Sequence, residues 1–424
     1  MTKLLIKGGR LVDPSQGRDG LFDLLIERGK VAEIKPAIPA NGATVIDAGG
    51  LLVVPGFVDL HAHLREPGRE DQETIETGCR AAVRGGFTTI CAMPNTEPAM
   101  DHRGVVDSVR QEAQRVGLSS VRPIGALTKG RLGRELTDFG ELFDAGCVAL
   151  SDDGHPLSDG LLMRRALEYA KVFDRPLIQH AEDLTLSAGG VMHEGLVATT
   201  LGLRGIPSEA ETVMIMRDLA LAELTGGWVH LAHLSSGRSV EIIREAKRRG
   251  VRVTCEVTPH HLLLTHEAVG SFDTSAKVNP PLRAEQDRLA LIEGLRDGTI
   301  DAIATDHAPH TDWEKAAEFD AAPFGISGLE TALAVCVEAL VKPGFLGWGR
   351  LVEALACHPA KIIGGGVGAL GVGAEADIAM IDPKASWTVD PARFVSKGRH
   401  SPFAGRTLTG AVVKVLRRGE EIGP

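Results

Sequence analysis

The sequence predicts an α/β fold: a (β/α)8 TIM-like barrel carrying a small β-sandwich domain built from the two ends of the chain. Three observations carry this expectation. Between residues 56 and 365, eight short apolar runs alternate with helix-like stretches. The runs are almost continuously apolar, as in a parallel sheet covered by helices. Segments 1–55 and 366–424 instead read as short strands with glycine turns. The 424 residues leave room for one barrel, typically about 250 residues, and a small domain beside it.

In chain order, LLIKGGRLV, DLLIERGKVAEI and ATVIDAGGLLVVPG are the first strand candidates. The eight central runs follow: GFVDLHAHL (56–64), FTTICAMPN (87–95), VRPIGALTK (121–129), CVALSDDG (147–154), RPLIQHAED (175–183), WVHLAHLSS (228–236), VRVTCEVTPHH (251–261) and IDAIATDHAPH (300–310). Helix candidates between them include ETIETGCRAAVRGG, GLLMRRALEYAKVF, SEAETVMIMRDLALAEL and SVEIIREAKRRG. The glycine-rich IGGGVGALGVG (363–373) leads into β-like sequence and reads as a turn or linker. ADIAMIDP, SWTVD and TLTGAVVKVLRRGEEI then resume the style of the N-terminal segment. The expected domains are therefore 1–55 with 366–424, and 56–365.

Composition excludes several functions. The formal net charge is −10, no basic run stands out, and Tyr169 is the single tyrosine. Nucleic acid and anionic membranes are poor partners for such a chain. An anionic small-molecule substrate would need a locally basic pocket. No apolar run reaches the 18 or so residues of a membrane span, and MTKLLIKGGRLVDP lacks the apolar core of a signal peptide. Six scattered cysteines without a CxxC pair read as reduced thiols of a cytoplasmic protein. Walker A and GxSxG patterns are absent, and no GxGxxG follows the first strand.

Chemical groups gather at the C-terminal ends of the eight runs, where barrel active sites form. His61 and His63 lie two apart on a strand and face the same way, so both can reach one ion. A bare HxH is short, and two structural histidines would look the same. His180 and His233 end later runs, and neutral imidazole suits zinc and related ions. Asp306 can be a ligand, a proton shuttle or both; of His307 and His310, only one need face the centre. In CVALSDDG the adjacent Asp152 and Asp153 point to opposite sides, so one acid enters the barrel mouth. Ions there would make its burial tolerable. Asp59 is a candidate for supporting a ligand. Arg65, Asn95 and Asn279 suit a carboxylate or amide, and the glycines of APFGISGLE (322–330) let backbone approach a ligand. Residues 311–322 read as a lid-like loop.

Together these motifs carry a resemblance. PGFVDLHAHLREPG, AMPNTEP, SDDG, QHAED, AHLSS, VTPHHL, KVNPPLR, ATDHAPH and PFGISGLET resemble the amidohydrolase superfamily, and in detail dihydroorotases of the long bacterial class. The likeness spans essentially the whole chain. It implies a centre of two zinc ions: His61, His63 and Asp306 on one, His180 and His233 on the other, Asp153 bridging. It assigns the substrate carboxylate to Arg65, Asn95 and His310. The ring amides fall to Asn279 and the backbone of Phe324 and Gly325. The implied reaction is reversible hydrolysis of L-dihydroorotate to N-carbamoyl-L-aspartate in pyrimidine biosynthesis. A metal-activated water attacks, and Asp306 acts as general base and then acid. A homodimer and an aspartate transcarbamoylase partner are further expectations of the family. Two rivals stand beside it. Hydantoinases and allantoinases bridge their ions with a carboxylated lysine, and 147–154 contains no lysine. A non-catalytic scaffold would have lost ligands, and every position is filled here.

Overall fold

The structure is a computed structural model and describes residues 3–423. The N-terminal segment forms β1 (Lys3–Asp13), β2 (Arg18–Glu27), β3 (Lys30–Lys35), β4 (Thr44–Asp47) and β5 (Leu52–Pro55). The barrel strands begin with β6 (Phe57–Ala62), β7 (Phe87–Ala92), β8 (Ser120–Ala126), β9 (Ala149–Ser151) and β10 (Leu177–Gln179). The short β11 (Met192–His193) and β12 (Gly205–Ile206) pair in an excursion after β10. The barrel resumes with β13 (Val229–Leu231), β14 (Val253–Val257) and β15 (Ala302–Ile303). The chain ends in β16 (Ile378–Thr388), β17 (Thr407–Arg417) and β18 (Glu420–Ile422). All eight apolar runs are thus barrel strands.

The eight strands pair in parallel in the order β6-β7-β8-β9-β10-β13-β14-β15. A parallel bridge from Ala62 to His307, with His63 N–H donating to His307 O at 2.8 Å, joins the last run back to the first. Asp59 braces the same seam: Thr305 donates to it from N–H at 2.8 Å and from its hydroxyl at 2.6 Å. Val58, Leu60, Met93, Ile124, Ile178 and Ala302 fill the interior. Ile362 and Ile363 join this cluster with Trp228, which immediately precedes β13, so apolar side chains plug the N-terminal end. The open end is the one that carries the histidines.

The helix Ile75–Arg84 shows why the flanking stretches are helical. Thr74 and Thr77 cap it reciprocally, and Ile75, Cys79 and Ala82 turn one apolar face to the sheet. Outside the barrel, the terminal strands form one mixed eight-stranded sheet, β18-β17-β16-β5-β1-β2-β3, with β4 also on β1. Its buried cluster draws Leu11, Ile26 and Val53 from one end of the chain and Ile378, Met380 and Leu416 from the other. The six cysteines are free and buried. Among the described residues no helix is long and apolar enough to cross a membrane.

Phe87 is fully buried and meets Phe57 edge-on at 5.6 Å between centroids, where the first two barrel strands pair. Phe87→Ala should cost about 3–5 kcal/mol of stability. Denaturant unfolding measures it, and a loss below about 1 kcal/mol would show that the seam collapses around the cavity.

Candidate metal centre

Strands β6, β9, β10, β13 and β15 end by delivering polar side chains into the mouth. His61 and His63, two apart on β6 and just beyond it, both turn Nε2 toward Asp153 Oδ2, at 3.3 and 3.5 Å. On the other side, His180 Nδ1 and His233 Nε2 lie 3.5 and 3.4 Å from Asp153 Oδ1. One carboxylate therefore stands between two histidine pairs, one oxygen to each. Asp306 closes the arrangement, with Oδ1 3.2 Å from His63 Nε2 and 3.6 Å from His61 Nε2. All six side chains are buried.

The donors fit divalent ions. Two triads, His61–Asp153–His233 and His61–His63–Asp306, each bring one ligand atom per residue within 4.8 Å of the others. His61 Nε2 is buried without a hydrogen-bond partner, as suits a lone pair aimed at an ion. Nitrogen and carboxylate oxygen are the ligand types zinc takes. Asp152 is turned away, accepting from Thr128 N–H at 2.9 Å and from the Thr128 hydroxyl. The two adjacent acids, just beyond β9, thus face different partners.

A second layer holds the imidazoles by their other nitrogens. Glu256 Oε1 is 3.0 Å from His61 Nδ1, and its Oε2 is 3.2 Å from His230 Nε2. Asn95 Oδ1 is 2.9 Å from His63 Nδ1, and Glu182 Oε2 is 3.1 Å from His180 Nε2. Such partners fix the tautomer of a ligand histidine and raise its basicity. Sequence reading missed Glu182 and Glu256. Glu182 follows His180 by two, the spacing that singled out His61 and His63, so its signal was present. Arg131, also missed, donates to the carbonyls of Asp152 and Asp153 at 3.3 and 2.7 Å.

The centre opens into a cavity of about 220 Å³, sized for a small molecule. Arg65, Asn95, Asn279, His310, Phe324 and Gly325 line it. These groups are also engaged within the protein, Asn95 with His63 and Arg65 Nε with Pro309 O at 3.3 Å among them. His310 Nε2–H donates to Phe324 O at 2.8 Å while its Nδ1 meets Gln72 Nε2 at 3.1 Å. Gly325 N–H donates to Lys277 O at 2.9 Å, and Asn279 Nδ2 to Glu182 at 2.9 Å. Gly325 has φ +146°, and a Cβ there would come within 2.5 Å of Ala308 O, so the close approach requires glycine. His307 faces away, 3.1 Å from Glu73. Residues 311–322 include a capped turn of helix, Asp312–Lys315. The Lys315 ammonium donates to the carbonyls of Thr274, Lys277 and Pro323, and Lys277 donates to those of Phe319 and Asp320.

The arrangement has clear relatives. The family model described as dihydro-orotase-like matches residues 50–239. A dihydroorotase of Anaeromyxobacter sp. (strain K) is 56% identical, covering 98% of this chain and 96% of its own length. One of Pelotomaculum thermopropionicum is 55% identical over 96% of this chain and 95% of its own. The chain belongs to the dihydroorotase family. Among solved structures, the L-hydantoinase (dihydropyrimidinase) of Arthrobacter aurescens superposes with a TM-score of 0.90 at 28% identity, covering 100% of this chain and 96% of its own. Dihydroorotase and hydantoinase thus share this barrel.

Burial would push the acids toward protonation, but the surrounding imidazoles hold Asp153 well below the usual carboxylate range and keep Asp306 low as well. Burial also opposes charge on His180, yet hydrogen bonds to Asp153 and Glu182 push it up to about 10. A raised pKa stabilises the metal-free fold fully below the unfolded value near 6.5, and that contribution is lost as pH rises through about 10. At pH 7 an incoming ion must therefore expel this proton. Zinc titration by calorimetry in two buffers of different ionisation enthalpy should show net proton release, rising affinity accompanying rising pH. Identical heats in both buffers would contradict it.

Asp153→Ala should strip metal and activity far more than Asp152→Ala. The latter leaves the buried Thr128 donors unpaired and costs about 1–3 kcal/mol of stability instead. Zinc per chain and a thermal melt of both variants separate the two effects; the reverse order would mean that the acids are assigned the wrong way round.

Proposed function

We propose that the chain is a dihydroorotase, interconverting L-dihydroorotate and N-carbamoyl-L-aspartate by reversible hydrolysis of the ring amide in pyrimidine biosynthesis. One observation carries the reading. Asp153, an unmodified side-chain carboxylate, stands between two histidine pairs in a chain 56% identical to a named dihydroorotase. Zinc is the ion assigned, two per chain. His61, His63 and Asp306 would hold one, His180 and His233 the other, with Asp153 between them. Such ions, when bound, lower the pKa of water and polarise a carbonyl.

The side chains do the rest. Asp306 is held ionised, so its carboxylate can accept a proton from the attacking water and return it to the leaving ring nitrogen. Arg65 supplies the positive charge for the substrate carboxylate, which fixes the ring for attack. His310 lies beside it in neutral form, its pKa pushed down to about 3 by burial and by Arg65 and Lys315. Asn95 contributes through its amide, and Asn279 with the Phe324–Gly325 backbone faces the ring amides. Six free thiols support a cytoplasmic setting. A homodimer and association with aspartate transcarbamoylase rest on the family resemblance.

The likeness to an L-hydantoinase favours a second reading, a cyclic amidase of hydantoinase type. The lysines nearest to the fourth strand in sequence argue against it. Lys129 pairs with Glu135 at the surface, and Lys171 donates to Thr225 O at 2.9 Å. Zinc-loaded protein assayed on dihydroorotate, hydantoin and allantoin should turn over the first far faster. Arg65→Ala should lower kcat/KM for dihydroorotate roughly 10- to 100-fold, the worth of a charge-assisted hydrogen bond. Intact dihydroorotate at both acidic and alkaline pH overturns the proposal.

A further inference from the structure

Glu182 is a buried carboxylate that the reaction above does not use. It is 8% exposed and follows β10, two residues after His180. Its Oε2 accepts twice, from His180 Nε2 at 3.1 Å and from Asn279 Nδ2 at 2.9 Å. Glu182 does not line the cavity at the metal centre; it lines a neighbouring one of about 570 Å³, which Phe324 also borders. It therefore acts through His180 and Asn279 rather than by touching substrate.

Both contacts have a fixed polarity. An ionised carboxylate can only accept hydrogen bonds. Once an incoming ion displaces the Nδ1 proton, His180 must keep its remaining proton on Nε2, which turns the Nδ1 lone pair toward Asp153 and His233. The other three histidines turn Nε2 to the centre; His180 alone presents Nδ1, so its Nε2 needs a partner of its own. The same rule turns the amide of Asn279. Its NH2 must face Glu182, which leaves Oδ1 as the acceptor for a ligand in the cavity that Asn279 lines.

We propose that Glu182 is a positioning residue that ties the metal centre to substrate recognition through one oxygen atom. It holds His180 in the tautomer that offers Nδ1 to an ion. It also orients Asn279 so that the site presents a hydrogen-bond acceptor, selecting a substrate group that donates, such as a ring amide N–H. This rests on the functional reading above. A ring with a carbonyl or a methylated nitrogen at that position meets an acceptor and is disfavoured.

The test compares wild type, Glu182→Gln and Glu182→Ala. Each is loaded with zinc and dialysed against a graded series of chelator; zinc per chain is counted, and KM and kcat for dihydroorotate are measured separately. Glu182→Ala should release one of its two ions at roughly 10- to 100-fold weaker chelation than wild type, the other ion being held normally. Glu182→Gln can keep an oxygen at the Oε2 position, where one atom accepts from both His180 and Asn279, and should retain both ions and a KM close to that of wild type. Glu182→Ala frees Asn279 to turn, and its KM at saturating zinc should rise about tenfold. A folded Glu182→Ala that keeps both ions, or that keeps the wild-type KM, refutes the proposal. If Glu182→Ala does not fold, Glu182→Met, which keeps the volume without the oxygens, is read the same way. Wild-type protein that binds no zinc or leaves dihydroorotate intact refutes the functional reading instead.

Discussion

Burial of Asp153 among four imidazoles is the constraint on which this structure depends. A carboxylate removed from water costs several kcal/mol unless it is paired and hydrogen-bonded. Here the pairing is shared: one oxygen faces His61 and His63, the other His180 and His233. Four strand ends must then keep their relative positions to within a few tenths of an ångström. The closed parallel barrel provides that, because its strands are braced on both sides and plugged at the far end. The Asp59–Thr305 bonds show the same demand at the seam, where the first and last strands must meet for Asp306 to reach His61 and His63.

Rigidity extends outward through the second nitrogens of the rings. Glu256, Asn95 and Glu182 each take one, so the imidazoles cannot rotate away from the centre. Two of these partners also serve elsewhere. Asn95 borders the cavity at the metal centre, and Glu182 holds Asn279. Side chains that hold the histidines therefore also border the cavity or bond a residue that lines it. The segment 311–322 is held by two buried ammonium groups that bond only to carbonyl oxygens among the described contacts. Within the cavity at the metal centre, the positively charged side chain is that of Arg65.

Much of this was legible in the residues. The eight apolar runs specified the strands because a buried parallel sheet tolerates few polar positions. His61 and His63 were legible through the two-residue period of a strand, and Asp152 and Asp153 through the same period with the opposite outcome. The engagement of His310 with Phe324 and Gln72, and of Gly325 with Lys277, was not legible. Those contacts join segments far apart in the chain, and nothing local in either segment specifies its partner. Glu256 escaped for a similar reason: a single acid inside an apolar run has no spacing partner until β14 is placed beside the first strand's histidine.

By itself the sequence determined the fold class, the barrel order and the side chains offered at its open end, because periodicity and local turn chemistry act within one segment. Tertiary structure alone decided how those side chains are shared. It set Asp153 between two pairs, gave Asp152 to Thr128, placed Arg131 under their carbonyls and joined His180 to Asn279 through Glu182. The physical reason is directional: hydrogen bonds and ion ligation depend on distances of about 3 Å between atoms of different strands, and only closure of the barrel fixes those distances.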